Sequence, residues 1–216
     1  SAAAAALALP LQQGNALAQA PQPVPQPPQA GSDYTVLSTP ASVDAPAGRI
    51  EVVEFFWYDC GFCNAFEPVL EAWIRRQPPE VVVRRVPVGF RDSFVPLQRL
   101  FYTLEAMGQL EALHARVFAA IHGPTPELPK AAKGPQLAEW AARQGLDMNR
   151  FVALYNAPET GEKVGRASRL QNQYGVEGVP ALGVAGRFYT DGDLAKSLRR
   201  SLQVVDFLVA EVRAGR

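Results

Sequence analysis

Between residues 34 and 213 the spacing of apolar positions changes several times, and each change marks an element. Tyr34 to Ser38 alternates apolar with polar, which predicts a short edge strand, and Pro40 to Gly48 reads as loop. Ile50 to Tyr58 is nearly continuous in apolar, β-branched or aromatic residues, as in a strand covered on both faces. At Cys60 the period becomes helical: Phe62, Phe66, Val69, Leu70, Trp73 and Ile74 fall on one face before Gln77, Pro78 and Pro79 end the run. Pro68 lies inside this helix, lacks an N–H and is expected to kink it. Val81 to Val88 is the next strand, so the stretch forms a β-α-β unit.

From Ser93 to about Gly175 only helical spacings occur. Leu97 to Met107, Leu110 to Ile121, Leu137 to Ala141 and Phe151 to Tyr155 carry them, across a Gly/Pro-rich break at Gly123 to Pro135. Strands resume at Ala181 to Val184, turn at Ala185-Gly186 and return through Arg187 to Thr190. A last amphipathic helix carries Leu194, Leu198, Leu202, Val205, Leu208 and Val212. The fold class is α/β, with a helical block inserted between two parts of a sheet. The expected divisions are 33–92 and 176–216 for the sheet-bearing parts and 93–175 for the helical insertion.

The residues before this region differ in composition. Ala2 to Leu11 is a short apolar run, and Ala16-Leu17-Ala18-Gln19-Ala20 offers small-residue cleavage positions. Residues 1–20 read as a signal peptide lacking its start, against the alternative of an Ala-rich tail. The run is broken by Pro10 and Gly14, well short of the roughly 20 apolar residues that span a bilayer. Residues 21–32 hold five prolines among glutamines and read as a disordered, extended arm. With 216 residues, 48% hydrophobic, the chain can bury one core. Its net charge of zero gives no polyanion footprint and argues against nucleic acid as a partner.

Both cysteines of the chain, Cys60 and Cys63, lie where the central strand hands over to the helix. Two thiols with two residues between them can close a disulfide across one helical turn. The orphan N–H groups and positive dipole end of a helix start stabilise a thiolate. Cys60 is therefore the candidate nucleophile and Cys63 its resolving partner. A structural staple over so short a loop would constrain little. A zinc site would need two more ligands, and His114 and His122, eight residues apart on one helix, lie about 12 Å from each other by helical rise. Both histidines read as ordinary helix residues, and no metal or cofactor beyond the Cys60–Cys63 pair is expected. Glu54 is a carboxylate in the apolar central strand, six residues before Cys60. Burial would raise its pKa and suit it to relay protons to Cys63; the competing reading is an ion pair with Arg84 or Arg85. Trp57 reads as core, and Phe62 as an exposed apolar landing surface for unfolded chains.

The strand, the Cys60-Gly61-Phe62-Cys63 motif, the helix after it and the distant Gly178-Val179-Pro180 together resemble the thioredoxin superfamily. The segment Glu51 to Glu67 is similar to periplasmic thiol:disulfide interchange proteins of the DsbA type, and the resemblance runs from about Asp33 to Arg213. It implies a thioredoxin fold with an inserted all-helical domain. It also implies a cis Pro180 beside the cysteine pair, with the backbone of Val179 offered to substrate, and an acidic residue at the place of Glu54. The implied activity is that of a soluble, exported thiol:disulfide oxidoreductase, expected to be a monomer in the periplasm. It would introduce disulfides into newly exported polypeptides and be reoxidised by a membrane-embedded, quinone-linked partner of the DsbB type. One departure lies inside the motif: oxidases of this type usually carry Pro-His between the cysteines, where this chain has Gly61-Phe62. That pair looks more like those of disulfide isomerases or reductases, although these carry an amino-terminal dimerisation domain for which only the tail and the Pro-rich arm stand here. An isomerase or reductase on the same scaffold is the alternative, and a non-catalytic, chaperone-like binding module is a third. Without a histidine between the cysteines, and with Asp59 just before them, the Cys60 thiolate is expected to be less stabilised than in a Pro-His oxidase.

Overall fold

The computed structural model describes residues 26–216; the signal-peptide reading of residues 1–20 and the first part of the Pro-rich arm lie outside them. The sheet has the order β1-β5-β4-β2-β3, built from β1 (Thr35–Val36), β2 (Ile50–Phe56), β3 (Val81–Pro87), β4 (Ala181–Val184) and β5 (Phe188–Asp191). β2 pairs in parallel with β3 and antiparallel with β4, so it has a neighbour on each side, and all seven of its residues are buried. The apolar run from Ile50 reflects that double cover.

The helix α1 (Gly61–Ile74) connects β2 to β3 and packs with α7 (Leu198–Arg213) on one face of the sheet. Phe66, Leu70 and Trp73 meet Val52, Leu182, Leu202 and Leu208 there. Burying each such side chain contributes about 1.5–3 kcal/mol. The opposite face is covered by the end of α6 (Pro158–Tyr174), whose Leu170 and Tyr174 pack with Val53 and Phe55. A Cβ on Gly183 would stand 2.3 Å from the Tyr174 ring, so glycine at this point of β4 lets the helix seat on the strand. Gly175, in the left-handed region with φ 64°, ends α6 and turns the chain back toward the sheet.

The helical block comprises α2 (Val95–Ala106), α3 (Leu110–His122), α4 (Gly134–Arg143) and α5 (Met148–Asn156), and α6 links it to the sheet. Its interior, with Leu100, Phe101, Phe118, Trp140 and Phe151, is continuous with Phe56, Tyr58 and Cys63. Along β2 the side chains alternate in direction. Val52 enters the α1/α7 core and Phe56 the helical core, while Glu54 lies on the same face between them, at the seam of the two.

Three elements depart from expectation. Residues 29–32, read as part of a disordered arm, form a turn: the amides of Gly31 and Asp33 donate to the carbonyls of Tyr34 and Gln29 at 2.8 and 2.9 Å. Asp33 ties this turn to α7 through Arg200 at 2.8 Å, an anchor outside the proline run that composition does not display. The last helix begins at Leu198 instead of Leu194, because the Asp191 carboxylate accepts from the amides of Asp193 and Leu194 and holds them in a turn. Ser197 then caps the helix by accepting from the Arg200 amide at 3.0 Å. Trp57, read as core, is only half-buried and stacks on Phe94, ring centroids 3.9 Å apart.

Candidate active site

Cys60 is the N-cap of α1. Its backbone is extended (φ −91°, ψ 117°), and its sulfur accepts from the amide of Cys63 at 3.3 Å, the place a serine or aspartate oxygen takes in an ordinary cap. Cys63 lies one turn inward, on the helix face that packs into the core, and is fully buried. Both cysteines are free thiols. Hydrogen bonding from the Cys63 thiol and the amides of Cys63 and Phe62 holds the Cys60 thiol down to about 6, against the desolvation of its partly buried position. Charge on His122 adds to this. Burial pushes the Cys63 thiol far up, and the Cys60 sulfur and the charge on Glu54 add to it.

Around the sulfurs, the Val179–Pro180 peptide is cis and the Cys60 sulfur lies 3.5 Å from the Val179 carbonyl. That carbonyl therefore faces the thiol. Phe62 is 73% exposed. With Gly178, Val179, Pro180 and Leu198 it lines an open groove beside Cys60, and Glu177, Asp191 and Asp193 line the same groove. Asp59 Oδ2 accepts from the Ala131 amide at 3.1 Å and fastens the loop ahead of α4.

Below Cys63 lies a buried charged cluster. Glu54 is opposite Arg85 in the parallel β2–β3 register, and Arg85 Nε lies 3.2 Å from Glu54 Oε2, off hydrogen-bond geometry. Neither Glu54 oxygen has a hydrogen-bond partner among the described residues. Burial pushes its carboxyl up to about 8, and the charge on Glu67 adds to the rise while Arg85 opposes it. Glu54 is thus a buried carboxyl raised above its ordinary range and set beside Arg85, the arginine that the ion-pair reading named. Arg85 also donates to Glu67 Oε1 at 2.6 Å and to Glu71. Burial acts to raise Glu67, yet His114 and Arg85 together hold it below the ordinary carboxylate range.

Both histidines, read as ordinary helix residues, belong to the site's support. His114 Nδ1 lies 2.7 Å from the buried Tyr58 hydroxyl. His122 Nε2 lies 2.8 Å from the Tyr58 carbonyl and, with that carbonyl as acceptor, carries a proton. Arg85 was named only as a candidate partner of Glu54, and Glu67, Tyr58 and His114 were not singled out as site residues. Of these three Glu67 had a visible signal, since four residues after Cys63 it shares that cysteine's helix face. The arrangement can ionise one sulfur at the surface while keeping the other protonated beside a proton-carrying acid.

The family described as DSBA-like thioredoxin domain matches residues 88–203. The thiol:disulfide interchange protein DsbA of Burkholderia cepacia is 39% identical over 194 residues, covering 89% of each chain. That of Pseudomonas aeruginosa is 36% identical over 185 residues, 86% of each. Among solved structures, DsbA from Xylella fastidiosa superposes with a TM-score of 0.81 at 32% identity, covering 88% of this chain and 100% of that one. Pseudomonas aeruginosa DsbA gives 0.80 at 35% identity, with 87% and 95% covered. With a thioredoxin-type sheet, a helical insertion and a Cys-x-x-C motif on the N-terminus of α1, the chain belongs to the DsbA family of thiol:disulfide oxidoreductases.

Proposed function

We propose that this protein oxidises thiol pairs in newly exported polypeptides, with Cys60 as the exchanging sulfur. The observation that carries the reading is the division of one helical turn into a stabilised thiolate at Cys60 and a buried thiol at Cys63. In the oxidised protein a substrate thiolate attacks Cys60 Sγ: the Cys60–Cys63 bond breaks, a substrate–Cys60 disulfide forms, and Cys63 leaves as a thiolate. Glu54, protonated at neutral pH in its buried site, gives that sulfur a proton. A second substrate thiolate then attacks the substrate sulfur of the mixed disulfide, and Cys60 leaves as a thiolate. The substrate loses two electrons and the Cys60–Cys63 pair gains them. A leaving group with a depressed pKa departs readily, and stabilising the reduced form makes the pair an oxidant.

Phe62, Val179 and Pro180 form the substrate-facing rim, where an extended chain can lie against apolar surface and meet the Val179 backbone. Reoxidation needs an acceptor of two electrons, supplied by a membrane-embedded, quinone-linked partner of the DsbB type. The residence consistent with this chemistry is the periplasm, an oxidising compartment, with residues 1–20 as the export signal. The Gly61-Phe62 pair favours the second reading, an isomerase or reductase on the same scaffold. Equilibration of the Cys60–Cys63 pair against glutathione separates them. The oxidase predicts a pair held reduced at glutathione ratios that leave a cytosolic dithiol oxidised; a strongly reducing pair contradicts it.

A further inference from the structure

His114 stands on α3 with its ring buried against Phe56, Tyr58 and Phe118. Its Nδ1 is 2.7 Å from the Tyr58 hydroxyl and its Nε2 is 3.4 Å from Glu67 Oε1. Burial holds Tyr58 as a phenol, and with its O–H donating, Nδ1 accepts. Burial also keeps His114 neutral, and the single ring proton then sits on Nε2, facing Glu67. Tyr58 in this way selects the tautomer that meets the carboxylate.

Glu54 and Glu67 share the guanidinium of Arg85, and two carboxylates in one desolvated site are driven to different protonation states. What distinguishes them is their surroundings. Glu67 receives Arg85 Nη2 at 2.6 Å and has His114 Nε2 at 3.4 Å, within ion-pair distance though outside hydrogen-bond geometry, whereas Glu54 has only the off-geometry approach of Arg85 Nε. We propose that His114, oriented by Tyr58, is a positioning residue that keeps Glu67 ionised beside Arg85 and so confines the proton of this buried cluster to Glu54. The proposal rests on Glu54 as proton donor to Cys63 and names the group that makes it so. The charged groups around His114 are Glu67 and Glu71 of α1, Arg84 and Arg85 of β3, Glu105 of α2 and Glu111 of its own helix. Among the described residues only Glu67 lies within ion-pair distance of it.

The test follows the side-chain carboxyls of Glu54 and Glu67 by carbon-13 NMR across pH in the reduced protein. In the wild type Glu54 should titrate near 8 and Glu67 below the ordinary range. In His114→Phe the Glu67 midpoint should rise by about 2–3 units, toward that of Glu54. The Glu54 midpoint should fall, because the two carboxyls then share the proton of the cluster. His114→Gln, whose amide can accept from Tyr58 and donate to Glu67, should restore both midpoints. Tyr58→Phe should shift them the same way by less, since the ring is then free to take the other tautomer. Unchanged midpoints in His114→Phe overturn the proposal; if that variant does not fold, unchanged midpoints in Tyr58→Phe do so. The rate at which Cys63 resolves a Cys60–glutathione disulfide, compared between wild type and Glu54→Gln, tests the proton-donor reading separately. Equal rates there sink the donor role of Glu54 while the titrations still report on His114.

Discussion

The rim around Cys60 and the floor beneath Cys63 are three residues apart in the chain and opposite in their physics. At the rim, amides at the start of α1 and the Cys63 thiol surround one sulfur, and the charge on that sulfur is welcome. On the floor, Phe56, Tyr58 and the helical core exclude water from the other sulfur, and every charge there must find a partner in Arg85 or lose itself to a proton. The difference shows that reactivity in this motif is set by where a turn of helix puts each thiol.

The largest break in the comparison is removal of either sulfur. Cys60→Ser should abolish exchange with peptide thiols, while Cys63→Ser should still react at Cys60 and accumulate mixed disulfides, visible by mass spectrometry of the trapped protein. Glu54→Gln should come next: resolution of a Cys60 mixed disulfide by Cys63 should slow by about 10²-fold, the scale of general acid–base catalysis. Its rate should also lose its dependence on a group titrating near 8, read in stopped-flow traces across pH.

Much of this site was legible in the sequence, because a strand-to-helix junction is written in the period of apolar residues and both cysteines fall on it. Glu54 was conspicuous as a lone charge in an apolar strand. Arg85 could be named only as one of two arginines able to meet Glu54, and His114 not at all, since an arginine in a sheet and a histidine in a helix look alike whether solvated or buried. Their meeting depends on the β2–β3 register and on the seating of α3, which no local pattern encodes. The displaced start of α7 has the same origin: Asp191 competes for the amides of Asp193 and Leu194 from outside the helix pattern. The tie from the Ala131 amide to Asp59 Oδ2 was equally hidden, since it joins residues far apart in the chain.

Stability sharpens the contrast through pH. In the folded, reduced protein Cys60 lies near 6, below its ordinary value of 9.0. Its contribution to stability is therefore fully present above the ordinary value and is lost as pH falls through about 6. The melting temperature of the reduced wild type, relative to Cys60→Ser, should fall between pH 8 and pH 5. Glu54 runs the other way: raised from 4.5 to about 8, it favours the folded state below its ordinary value, and this is lost as pH rises through about 8. The smallest effects should come from the rim. Phe62→His should lower the Cys60 midpoint by a fraction of a unit, and Asp59→Gly should change it less while loosening the loop at Ala131.

The most direct test of the division between rim and floor is alkylation of the reduced protein by iodoacetamide across pH, with the modified residue assigned by peptide mass spectrometry. The account predicts modification at Cys60 alone, with a rate that rises through a midpoint near 6, and a Cys63 that stays unmodified while the fold is intact. Cys63 reacting first, or a Cys60 midpoint at the ordinary thiol value of 9.0, would contradict it.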